Sequence, residues 1–196
     1  MANVSAIHSV GNSIMTFLRN TYPRDVAGHP MPDCAFELVS SGELAEPNPG
    51  GNRLSLYLYR VTVNEHCRQQ RHGQGQMPPL GLDLHYLLMA WGDNARDEQL
   101  PLAWAMRQLY QYPILDASSL SPEAGWGSDE VIQVIPSELP TEDMMRIWDA
   151  LDPVYRLSVS YIVRLVRIDP DTQPDARPVV ASRFGHGGAE PAGVAP

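Results

Sequence analysis

Leu80-Gly81-Leu82-Asp83-Leu84-His85-Tyr86-Leu87-Leu88-Met89-Ala90-Trp91-Gly92 alternates along its whole length. Leu82, Leu84, Tyr86, Leu88 and Ala90 fall on one side, and Asp83, His85, Leu87, Met89 and Trp91 on the other. A period of two is the signature of a strand. Here one face is wholly apolar and the second becomes apolar toward its end, so the strand is expected to be covered on both sides and to lie inside a sheet. Gly92-Asp93-Asn94 breaks it. From Ala95 the period changes to three and four, through Leu100, Ala103, Trp104, Met106, Leu109 and Tyr110, until Pro113 stops the helix. Pro101 kinks that helix if it begins at Ala95, and costs little if it begins near Asp97.

Two further long strands flank this unit. In Arg53–Val63, Leu54, Leu56 and Leu58 share one face, and Tyr57, Tyr59, Val61 and Val63 the other. At about 3.3 Å per residue such a strand crosses a whole domain or projects beyond it. In Arg156–Ile168, Leu157, Val159, Tyr161, Val163 and Leu165 alternate with Ser158, Ser160, Ile162, Arg164, Val166 and Ile168. Shorter strands are expected at Cys34–Val39 and Glu130–Ile135. One helix is expected to start at Asn3 or Ser5 with the stripe Ile7, Val10, Ile14, Phe17, Leu18. Another, capped by Thr141, carries Met144, Ile147, Trp148 and Leu151. Arg68–Pro79 reads as an exposed loop joining two antiparallel strands. Near the C-terminus, only Arg177–Phe184 is dense enough in side chains to pair as a strand.

Totals restrict the function classes. A chain of 196 residues, 43% hydrophobic, is long enough for one domain with a core. All 14 cations are arginine against 23 carboxylates, a net charge of −9 with no basic run, which argues against nucleic acid. Neither a signal peptide nor an apolar run of membrane-spanning length is visible, so the expected place of synthesis is the cytoplasm. Cys34 and Cys67 do not make a disulfide framework. Glu65-His66-Cys67 is the one dense cluster of ligand-type residues. A metal or nucleophile site there needs help from His85 or Cys34 on other strands. No phosphate loop or nucleophile elbow is present, and no cofactor is expected. Arg53, Arg60, Arg156 and Arg164 on the long strands are candidates to reach a carboxylate of another subunit or to sit solvated at strand ends.

The order of five segments resembles a known family. Leu-Tyr-Leu-Tyr-Arg-Val (56–61), Pro-Pro-Leu-Gly-Leu-Asp-Leu-His-Tyr-Leu-Leu (78–88) and Met-x-x-Leu-x-x-x-Pro-x-Leu (106–115) come first, then Ile-Trp-Asp-Ala-Leu (147–151) and Tyr-Arg-Leu-Ser-Val-Ser-Tyr-Ile-Val-Arg (155–164). Together they are similar to the cap, or tail-terminator, proteins of extracellular contractile injection systems such as the antifeeding prophage and the Photorhabdus virulence cassettes. The resemblance implies an α+β fold, a mostly antiparallel mixed sheet with three long strands packed by about three helices. It also implies a non-enzymatic cap: a homohexameric ring, assembled in the cytoplasm and carried on a released particle, that closes the inner tube and sheath. The expected partners are further copies, the sheath protein and the inner tube protein, with no nucleic acid or membrane. A cap domain is expected over 1–186 and a disordered tail over 187–196. The contact residues expected from the long loop and the tail are Arg68, Arg71, Gln74, Met77, Val179, Val180, Arg183 and Phe184. Other readings are a baseplate or adaptor module of the same particle, or a hydrolase using Cys67 with His66 or His85.

Overall fold

The computed structural model describes residues 2–45, 50–64, 77–151 and 154–171. The elements run α1 (Ala6–Thr21), β1 (Asp25–Val26), β2 (His29–Pro30), β3 (Ala35–Val39), α2 (Ser41–Ala45), β4 (Arg53–Val63) and β5 (Leu80–Trp91). They continue with α3 (Ala95–Gln111), β6 (Ile114–Asp116), a 3-10 turn (Pro122–Ala124), β7 (Val131–Pro136), α4 (Thr141–Leu151) and β8 (Ser158–Ile168). Six strands form one sheet in the order β3-β4-β5-β8-β7-β6. Only β3 and β4 are parallel; every other pair in the sheet is antiparallel. This is the expected α+β architecture, with β5 paired on both edges by the other two long strands.

Each face of β5 builds its own core. Leu82, Leu84, Tyr86, Leu88 and Ala90 join Val10, Ile14 and Leu18 of α1 and Leu102, Trp104 and Leu109 of α3. On the opposite face Leu87, Met89 and Trp91 pack with Leu44 of α2 and Trp148 of α4. Fully burying one such aliphatic side chain is worth roughly 1.5–3 kcal/mol, so the doubly covered half of β5 contributes from both layers. Tyr86 is the polar exception in the first layer. Its hydroxyl reaches the Ile7 carbonyl at 3.2 Å, and burial pushes the phenol well above its ordinary pKa.

The helices follow their stripes with local differences. Ser5 takes the N-cap position of α1, and Asn3 Oδ1 accepts its N–H at 2.7 Å. The loop after β6 is tied down on α1 by serines: Trp126 Nε1 donates to Ser9 Oγ at 2.9 Å, and the Ser121 N–H donates to Ser13 Oγ at 2.7 Å. Helix α3 starts at Ala95, capped by Asn94 Oδ1 accepting from the Asp97 N–H, so Pro101 lies inside it and not in its first turn. Of the α4 stripe only Trp148 is buried; Met144, Ile147 and Leu151 are half-buried. Helix α2 was not expected, because Ser40-Ser41-Gly42 reads as a break. The signal was Ser40 followed three residues later by Glu43, a capping box in which Glu43 Oε2 accepts from the Ser40 N–H at 2.7 Å.

Two β-bulges overturn part of the expected facing. Between Leu58 and Arg60 the pairing with β5 slips by one, so Val61 stands opposite Leu84 and Val63 opposite Leu82. Both valines therefore share the face of Leu54, Leu56 and Leu58, not that of Tyr57. On β8 a second slip between Val163 and Val166 moves Val166 and Ile168 onto the Val159, Tyr161, Val163 face. An extra residue on one strand reverses the inside–outside parity of everything after it. Leu165 absorbs that slip at φ +67°, a left-handed conformation that costs a residue with a Cβ roughly 1–2 kcal/mol. Because the Leu165 side chain is 41% exposed, Leu165→Gly is expected to stabilise the fold by about 1 kcal/mol. Thermal unfolding checks this, and an unchanged or lowered midpoint counts against the strain.

Candidate functional site

The three long strands outrun their neighbours at one end. β3 pairs only with Arg53–Tyr57 of β4, leaving the Leu58–Val63 edge without a strand among the described residues. β7 pairs with β8 only from Tyr161 to Arg164, so Leu165–Ile168 extend past it, with a single bridge from Ala2 to Ile168. The projection is three strands wide, and five residues of it span roughly 17 Å.

Its surface is apolar without being core. Val4 is 76% exposed, Val63 58%, Met77 51% and Leu80 49%. Together with Ile168 and Asp171 they line an open hollow of about 480 Å³. Clustered exposed aliphatic side chains of this kind make this end a candidate contact surface. The hollow includes Asn64, Met77 and Asp171, the described residues next in sequence to 65–76 and 172–196. Of the expected contact residues, Met77 lies in the hollow. Arg68, Arg71, Gln74, Val179, Val180, Arg183 and Phe184 lie outside the described residues, as do Glu65-His66-Cys67, the strand expected at 177–184 and the boundary at 186. Sequence reading missed Val4, Val63 and Leu80. The β4 bulge hid Val63 by reversing its face.

Polar groups brace the projection on its other face. The Asp83 carboxylate accepts from Asn64 Nδ2 at 3.0 Å and from the Leu165 N–H at 3.3 Å, linking β4, β5 and the β8 bulge. Thr62 Oγ1 lies 3.1 Å from His85 Nε2, and the Tyr59 ring is 6.0 Å from the imidazole. Burial lowers the His85 pKa, helped by the Arg60 and Arg164 cations and opposed by Asp83. A histidine that binds its proton less well folded than unfolded keeps its stabilising effect above the ordinary value of 6.5 and loses it as the pH falls through and below that value. The unfolding midpoint should therefore drop between pH 7 and 5.5, and His85→Gln should flatten that part of the profile. An identical slope in the variant would assign the acid sensitivity to other groups.

The four strand arginines separate into two pairs. Arg53 and Arg156 are used inside the subunit, their guanidiniums 4.4 and 5.0 Å from the Trp91 ring centroid. They also pair with Glu37 at 3.1 Å and Glu98 at 3.8 Å, so they are neither solvated ends nor free to reach another subunit. Arg60 and Arg164 are exposed and have no ion pair among the described residues. Cys34 is half-buried, and burial pushes its thiol up to about 12, far from a thiolate at neutral pH. Among the described residues no group of three His, Cys, Asp or Glu side chains could hold a metal ion. Nor is any described helix long and apolar enough to cross a membrane.

Comparison with known proteins places this geometry. The family model described as the Pvc16 N-terminal domain matches residues 9–182. The chain belongs to that family. No curated protein matches the sequence. Among solved structures, this Pvc16 N-terminal domain is similar to the PVC sheath/tube terminator of an extracellular contractile injection system, seen by cryo-electron microscopy in the extended state. The TM-score is 0.56 at 17% identity, over 96% of this chain and 65% of that one. It is also similar to the anti-feeding prophage cap, a tube terminating cap, with a TM-score of 0.55 at 15% identity over 90% of this chain and 60% of that one. The likeness is one of fold, and the chain spans 65% and 60% of the length of those two proteins.

Proposed function

We propose that this chain is a structural cap that ends the inner tube and sheath of a phage-tail-like contractile injection particle. Copies of the chain form a closed ring, six by the resemblance, and the ring offers the last tube and sheath layers a surface on which no further subunit can add. The supporting observation is the projecting end of β4, β5 and β8, whose apolar side chains are exposed among the described residues, on a fold shared with a sheath/tube terminator and a tube terminating cap. The Leu58–Val63 edge of β4, without a strand among the described residues, suits the addition of an extended segment from a partner. The role needs no catalytic step and no cofactor. Assembly takes place in the cytoplasm, and the cap leaves as part of the released particle.

Removal of 171–196 tests the reading. The shortened chain is expected to fold, with an unfolding midpoint close to that of the whole chain, and to leave particles of uncontrolled length. Particles of normal, uniform length from cells carrying only the shortened chain would remove the tail from the mechanism. Uniform, sealed particles in cells lacking the chain altogether would end the cap reading.

A further inference from the structure

Helix α3 turns two stripes outward from its axis. Leu102, Ala105 and Leu109 face the core, while Arg96, Leu100, Ala103, Arg107 and Tyr110 recur at four, three, four and three on the opposite side. Tyr110 is 77% exposed. Beside this stripe lies a hollow of about 780 Å³ between α3 and the β1–β2 hairpin, with Val26, Met31, Leu100 and Trp104 in its apolar wall. Arg96 and Arg107 stand at its rim, the first tethered to the Pro30 carbonyl at 3.3 Å, the second with no ion pair among the described residues. In a chain of net charge −9, an apolar trough between two arginines is complementary to a helix with a hydrophobic side chain between carboxylates.

The chain itself carries such a helix. On α4, Glu142, Met145 and Asp149 occupy positions i, i+3 and i+7 of the outward face, and Met145 is 36% exposed. The one cation on that face, Arg146, pairs with Glu142 at 2.6 Å, but both groups are at least 70% exposed, so the pair is cheaply exchanged. Moreover, α3 belongs to the core on one face of the sheet and α4 to the core on the other. The two surfaces point to opposite sides of a subunit, the arrangement that a head-to-tail contact requires.

We propose that α4 of one copy seats in the α3 trough of the next, with Met145 entering the hollow and Glu142 and Asp149 meeting Arg96 and Arg107. The arginines lie roughly 16 Å apart along α3 and the carboxylates roughly 10 Å apart along α4, so the long arginine side chains close on the acids from outside. This deepens the cap reading and rests on it, because it names the surface by which copies join.

Paired charge reversals test the contact in the full chain. The variants Arg96→Glu/Arg107→Glu and Glu142→Arg/Asp149→Arg are each expected to weaken self-association at least tenfold by mass photometry, and an equimolar mixture to restore it. In a mixed ring that alternates the two, every contact regains opposite charges. Arg107→Glu alone, at an exposed residue with no ion pair among the described residues, repeats the test without touching the hairpin. Wild-type-like assembly of any variant, a mixture no better than its components, or a wild-type chain monomeric at all concentrations overturns the proposal. Particle lengths separate this failure from that of the cap reading. If reversal leaves rings and length control intact, the contact lies elsewhere and the cap role stands. If cells lacking the chain make uniform particles, the cap role falls.

Discussion

Trp148→Ala should destabilise the subunit by about 3–5 kcal/mol, the range for truncating a buried tryptophan. It is the one fully buried side chain of α4, and it closes the smaller core over Leu87, Met89 and Trp91. Its ring meets Tyr155 edge-on at 5.8 Å, so the loss extends to the strand entry into β8. No other α4 residue can take over, because Met144, Ile147 and Leu151 reach the sheet only in part. Denaturant unfolding measures the cost, and amide exchange should show α4 opening before the layer of α1 and α3. A loss under about 1 kcal/mol would mean that the second face of β5 contributes little.

The second large effect is on assembly, with the fold kept. Val63→Asp combined with Leu80→Asp places two carboxylates on the apolar projection, at side chains 58% and 49% exposed. Since neither side chain is buried, the unfolding midpoint should move by no more than a few degrees. Docking would require taking those charges out of water without a partner, so length control of the particles should be lost. Normal particles from a folded double variant would move the contact away from this end of the sheet.

Reading the sequence recovered the elements whose period is long and regular. β5 declared both its strand character and its double burial, because the ten residues Leu82–Trp91 sort cleanly onto two faces. The α1 stripe and the long spans of β4 and β8 were equally legible, because local alternation fixes which side of a strand must leave water, and the antiparallel pairing of β4 with β5 followed from the loop that joins them; the pairing of β8 with β5 did not. The β1–β2 hairpin and β6 were not. Two or three residues carry no period.

Alternation, spacing and charge are local properties, and they settled that strands and amphipathic helices mix in one domain and that β5 lies inside the sheet. Partner choice is not local. That β3 runs parallel to β4, that Arg53 and Arg156 stack on Trp91, and that single-residue slips at Tyr59 and Leu165 put Val61, Val63 and Val166 on the opposite face were decided only when distant strands met in register. A bulge is fixed only by pairing, because it is two residues of one strand facing one of the strand opposite. The projecting end of the sheet exists only where, among the described residues, one strand is longer than its neighbour.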